Sequence, residues 1–142
     1  MAVSYYAEDI KAPLIPKKIT TKWIKEVASK FEMKVGNISY IFCSDAYILN
    51  VNQKYLQHDY YTDIITFDYT NNAVISGDIF ISVDTVNSNA DKFQVSFEEE
   101  LYRVIIHGIL HLCGINDKTD KQQSEMTKQE NEALALRLEI FD

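Results

Sequence analysis

Ser96 to Asp117 reads SFEEELYRVIIHGILHLCGIND, and this stretch decides how the rest of the chain is arranged. Ser96 followed three residues later by Glu99 is a capping-box pair, which satisfies orphan N–H donors at the start of a helix. Leu101, Val104, Ile105, Ile109 and Leu110 then recur at helical spacing. Gly114, which can take the left-handed conformation, stops the element. This long apolar helix is expected to be the central one of the domain.

Working outward, Ile64–Phe67 reads as a strand, Asn71-Asn72 as a turn, and Ala73–Ile75 with Gly77–Ser82 as one or two further strands. Between them and the central helix, residues 84–93 are helical, with Val86, Ala90 and Phe93 on one side. Nearer the start, the segment up to Pro16 reads as a short strand and a loop. A helix then opens at Ile19, with Thr20 or Thr21 as N-cap, and buries Trp23, Ile24, Val27 and Phe31. Gly36-Asn37 is expected to close it. Ile38–Cys43 follows as a strand, and Ser44-Asp45 caps a second helix running to about Leu56, with Ile48, Leu49 and Val51 inward. A last helix, from about Lys121 to Ile140, has Met126, Ala133, Leu134, Leu136 and Leu138 to bury. The expected fold is a single α/β (α+β) domain over residues 1–142. It is a small mixed four-stranded sheet packed with helices, around this central helix.

The chain has 142 residues, 46% hydrophobic and 25% charged, and so the make-up of a globular protein with one core. No apolar run reaches the roughly 18–20 residues that span a bilayer, and the first residues lack a secretory pattern. With only Cys43 and Cys113, a reducing, cytoplasmic setting is the simplest reading. The net charge of −7 weighs against nucleic-acid binding, yet residues 1–40 carry seven lysines against four acids. A nucleic-acid partner would have to be gripped locally, through a lysine-bearing N-terminal helix or through a metal.

His107 and His111 stand four apart and therefore on one helix face, where one ion of zinc type can accept both imidazoles. Gly114 lets the chain double back, so that Asp117 presents a carboxylate to the same ion. Three protein ligands leave a position for water, the arrangement of catalytic zinc. Such an ion brings the pKa of its water toward about 7. The other reading is two partly buried histidines satisfied by backbone carbonyls. Arg103 lies one turn before His107. It either supplies cationic contact to a phosphate or pairs with Glu99 or Glu100 on the helix surface.

The spacing His107-x-x-x-His111-x-x-Gly114-x-x-Asp117 resembles that of metzincin proteases. Those enzymes place a Glu after the first histidine as general base, and here that position is Gly108, which counts against a protease. A second resemblance covers most of the chain. HGILHLCGIND (107–117), YTDIITF (61–67), GDIFIS (77–82) and the pair Met126 and Glu130 are similar, in order, to the motifs of the YbeY family of bacterial metal-dependent endoribonucleases. That resemblance implies a single-strand-specific endoribonuclease of ribosomal RNA maturation (small-subunit 3′-end processing) and ribosome quality control. RNA and the ribosome are then the partners, and the cytoplasm the location. Zn2+ is the expected ion, with Ni2+ or another transition metal as alternatives, and a monomer is expected. Two departures stand out. Asp117 replaces the family's third histidine, which can shift metal preference. Leu56 falls where the family carries an arginine. A non-catalytic ribosome-binding protein with a structural metal, closed by Asp63 or His58 as fourth ligand, is the alternative from another class.

Asp63, in Thr62-Asp63 at the head of a strand, is a candidate to orient a ligating histidine or to cap its turn. His58-Asp59 could reach substrate, and Tyr55, Tyr60, Tyr61 and Tyr69 could stack bases or simply pack. Cys43 and Cys113 read as core.

Overall fold

The computed structural model describes residues 2–56 and 62–141. The elements run β1 (Val3–Ala7), α1 (Lys17–Ser29), β2 (Lys34–Cys43), α2 (Asp45–Leu56), β3 (Ile64–Asp68), β4 (Val74–Ser82), α3 (Val83–Phe93), α4 (Phe97–Leu112) and α5 (Asp120–Phe141). They form a single α/β domain around a mixed sheet of order β1-β2-β4-β3. β1, β2 and β4 are parallel, and β3 pairs antiparallel with β4 at the edge. Parallel neighbours need a crossover and antiparallel ones only a tight turn. Hence α1 joins β1 to β2, while β3 turns into β4 through Asn71 and Asn72. Asn72 takes a positive φ of 56°, which asparagine tolerates better than most residues.

Strand alternation splits the apolar side chains between two faces. Ile38, Tyr40 and Phe42 of β2, with Ile75, Ile79 and Ile81 of β4, join the main core under α1 and α4. Cys43 and Ile65 meet Ile48 and Val51 of α2 in a smaller cluster on the other face. α4 is buried on several sides, including Leu101, Ile105 and Ile109, and so is the central helix expected from its sequence. Buried polar groups find partners there: Tyr40 Oη donates to the Ile105 carbonyl at 2.9 Å, and Trp23 Nε1 to that of Ala133 at 2.8 Å.

Gly108 marks where α4 presses on the sheet. A Cβ at that position would lie 3.0 Å from Ile79 Cδ1 and 3.2 Å from Ile64 Cδ1. A glutamate there would point into the core rather than at a substrate, so the residue a metzincin needs has no place in this packing.

Several expectations are corrected. α1 begins at Lys17 with Pro16 as N-cap and no side-chain cap. Thr20 is instead buried inside the helix, its hydroxyl without a partner among the described residues. Gly36-Asn37 does not end α1. It lies inside β2, at a register irregularity between Val35 and Ile38. Glycine is required there because a Cβ would stand 2.8 Å from Val74 Cγ1. The chain turns earlier, at Glu32 with φ 60°. The two possible strands after Asn72 are one. Phe93, the last residue of α3, and Leu138, which falls off the Met126, Glu130 and Ala133 face that α5 buries, are exposed, at 55% and 60%.

Candidate metal centre and cleft

One open cleft of about 400 Å3 gathers residues from four parts of the chain. Glu100, Arg103, His107 and His111 come from α4, one turn apart along a single face. Thr62, Asp63 and Thr66 come from the start of β3 and its approach, Asp117 from the loop after α4, and Glu130 from α5.

The loop reaches the cleft because α4 ends in a Schellman motif. Gly114 has φ 98°, its N–H donates to the His111 carbonyl at 3.0 Å, and that of Ile115 to Leu110 at 3.0 Å. The reversal brings Asp117 Oδ2 to 3.3 Å from His107 Nε2. On the other side of the ring, His107 Nδ1 meets Glu130 Oε2 at 2.7 Å. A carboxylate that accepts from Nδ1–H keeps the proton on Nδ1 and leaves Nε2 with the lone pair that can bind a metal.

Glu130 is buried and holds two partners, since its Oε1 also accepts from Arg103 Nη1 at 2.8 Å. Arg103 Nη2 donates to Asn131 Oδ1 at 2.8 Å. Arg103 therefore pairs across to α5 rather than with Glu99 or Glu100, although it lines the cleft. Asp63 lines the cleft too, but Glu130 is the carboxylate on His107. The backbone N–H groups of Asp63 and Ile64 favour the charged form of its carboxyl, as a turn-capping place would.

Burial alone would push the His107 imidazole down. The hydrogen bond and charge of Glu130, then the charges of Asp117 and Asp63, outweigh it and leave the group raised. Burial lifts the Asp63 carboxyl above its ordinary range, against the opposing His107. Glu100 is also lifted, by burial first and then by the negative Asp63. Only 5% exposed, its carboxyl makes no hydrogen bond among the described residues.

The donor set suits a transition metal in kind: two imidazoles and a carboxylate. Ligand atoms about 2.0–2.1 Å from a tetrahedral ion stand about 3.3–3.4 Å from one another. The His107 Nε2 to Asp117 Oδ2 separation of 3.3 Å matches that edge. His111 lines the same cleft, but among the described residues no three His, Cys, Asp or Glu side chains already meet as a complete ligand group. The residues fit an ion in kind, and His107 with Asp117 is the pair already at ligand spacing.

Two cleft residues were undervalued in the sequence. In the sequence Glu130 stands out only beside Met126, yet Met126, Glu130 and Ala133 are the buried residues of α5, one face at helical spacing. An acid within an apolar stripe was the signal. Glu100 had none beyond a place one turn from Arg103. His58-Asp59, Tyr60 and Tyr61 lie outside the described residues. Tyr55 is exposed and edge-on to Phe67, and Tyr69 is exposed beside Asp78. Leu56, at the end of α2, brings no cation to the position of the family arginine. Cys43 is buried and Cys113 half-buried.

A mixed sheet backed by a central helix that brings histidines and carboxylates into one cleft defines the class: a single-domain α/β protein with a candidate metal-binding cleft. The comparisons narrow it. A profile of the family Endoribonuclease YbeY matches residues 5–137. The chain is 62% identical over 136 residues to Endoribonuclease YbeY of Parabacteroides distasonis, covering 96% of each chain. It is 58% identical over 137 residues to that of Bacteroides fragilis, covering 96% of this chain and 99% of the relative. A solution structure of a Thermotoga maritima protein superposes with a TM-score of 0.65 at 29% identity, over 93% of this chain and 86% of that one. The chain belongs to the endoribonuclease YbeY family, whose members are metal-dependent.

Proposed function

We propose that this protein is a metal-dependent endoribonuclease that hydrolyses phosphodiesters of single-stranded ribosomal RNA during rRNA maturation. The small-subunit 3′ end and ribosome quality control are its place of action, as a monomer in the cytoplasm. Family membership and near-complete coverage of the relatives support the activity. Among the described residues no helix is long and apolar enough to cross a membrane.

His107, His111 and Asp117 are the residues that would hold the ion, with Zn2+ first and Ni2+ or another transition metal next. The bound ion would supply an activated water and a Lewis acid for a phosphoryl oxygen. The observation that carries this reading is the His107 ring, fixed by Glu130 at Nδ1 and facing Asp117 with Nε2. Glu130 orients that ring and, with Asn131, holds the Arg103 guanidinium at the cleft, where its remaining N–H donors could meet a phosphate oxygen. Hydrolysis also takes a proton from water and delivers one to the leaving oxygen. Asp63 and Glu100, with carboxyls raised by burial, are the cleft groups suited to hold a proton.

Metal analysis of untagged protein beside His111→Ala and Asp117→Ala tests the reading. One equivalent of a transition metal in the wild type, lost in both variants together with RNA cleavage, is expected. A wild type that binds no metal after reconstitution would sink it.

A further inference from the structure

The cleft described above is a poor place to attract a polyanion. It holds four carboxyl side chains, Asp63, Glu100, Asp117 and Glu130, and its arginine is tied to Glu130 and Asn131. With a net charge of −7 overall, the chain has to find its attraction for RNA elsewhere.

A second groove, of about 860 Å3, lies between the edge strand β1 and the exposed face of α1. Val3, Ser4 and Tyr5 line one side of it, and Lys17, Lys18, Lys22 and Lys25 the other. Lys18, Lys22 and Lys25 follow helical spacing, so their ammonium groups form a row roughly 10 Å long. All four lysines are exposed, and none has an ion pair or hydrogen bond from its ammonium group among the described residues. Glu26 is the one acid lining the groove. The first turn of α1 contains no acid. Lysines at that end oppose the helix dipole, so helix stability does not account for them. The aromatic ring in the groove, Tyr5, is already stacked on Tyr40 at 5.6 Å and bonded to Thr21 at 3.1 Å. It is not free to read bases.

We propose that the β1–α1 groove is a second RNA-binding site, remote from the cleft, which grips the phosphate backbone of a single strand without regard to sequence. This rests on the reading of the protein as an endoribonuclease. β1 and β3 are opposite edges of the sheet, so the groove holds a length of RNA distant from the bond that is cut. Long substrates gain from it and short oligonucleotides confined to the cleft do not.

The test uses the full chain with Lys17, Lys18, Lys22 and Lys25 all replaced by Gln, folding being checked by circular dichroism. Binding of a fluorescein-labelled oligouridylate is followed by anisotropy across a salt series in EDTA, where nothing is cleaved. Three to four lost phosphate contacts at about 0.7 each lower the slope of log K against log salt by roughly 2–3. KM for long RNA should rise at least tenfold (about 1.4 kcal/mol), with kcat on a short oligonucleotide unchanged. An unchanged slope overturns the proposal. An unchanged slope with new self-association would instead assign the lysines to shielding the open β1 edge. An unchanged slope with lost binding of a ribosomal protein would assign the groove to that partner. Binding in EDTA is independent of turnover, so a wild type that fails to cut RNA leaves this result readable.

Discussion

Replacing Glu130 by Gln perturbs one buried group that serves two donors. Its Oε1 accepts from Arg103 Nη1 at 2.8 Å and its Oε2 meets His107 Nδ1 at 2.7 Å. Glutamine offers one oxygen and one amide nitrogen, so whichever way it turns one donor faces another donor. A lost charge-assisted hydrogen bond is worth about 1.5–3 kcal/mol. Some of that is offset because a buried negative charge disappears, leaving a destabilisation of about 1–2 kcal/mol. At about 3 °C per kcal/mol for a chain of this size, Tm should fall by roughly 3–6 °C. The larger effect is expected on the metal. A carboxylate that orients a ligating histidine contributes about 10–100-fold to affinity. The assay is competition for zinc with a chromophoric chelator, at a pH where both proteins are folded. A variant that keeps both its Tm and its metal affinity would refute the role given to Glu130, whatever its activity.

Gly108→Glu restores the metzincin pattern on paper, but it forces a charge against Ile79 and Ile64, so the variant should be unfolded or insoluble rather than proteolytic. Gly108→Ala separates size from charge: it gains about 1 kcal/mol in helix propensity and faces about 1–3 kcal/mol of overpacking, for a Tm equal to or below that of the wild type. Glu100→Gln should stabilise the protein at neutral pH. The Glu100 carboxyl is raised in the fold, so its contribution is fully present below the unfolded pKa near about 4 and is lost as pH rises through the folded value. The Tm difference should therefore grow from pH 4 to pH 8, and a constant difference would contradict it. Burial pushes the Cys43 thiol up to about 12 and the Cys113 thiol up to about 11, so both should resist alkylation at pH 8 until the chain is unfolded. Fast modification of either in the native protein would show that its surroundings are open.

The central helix was legible because it carries its own punctuation: a capping serine, a run of core residues and a stop glycine within one contiguous stretch. The mixed sheet was legible as strands, though its order depends on which faces α1 and α4 cover, which no local pattern encodes. Gly36 misled because a glycine after a helix reads as a stop, whereas here it answers a close approach from Val74 on a neighbouring strand. Thr20 misled in the reverse way, a polar residue in the interior of a helix where a cap was expected. In the cleft, local spacing brought together His107, His111 and Asp117. The partner of His107 was hidden because Glu130 lies 23 residues away and reaches it only through the docking of α5.

That dependence on α5 has a consequence for biosynthesis. Trp23 in the first helix is hydrogen-bonded to Ala133 near the end of the chain, 110 residues later. The mixed sheet can begin to assemble on the ribosome, but neither the far side of α1 nor the His107 ring has its partner until α5 emerges. The nascent chain thus acquires its complete core and its oriented histidine in the same late event, and a polypeptide truncated before residue 130 lacks both together.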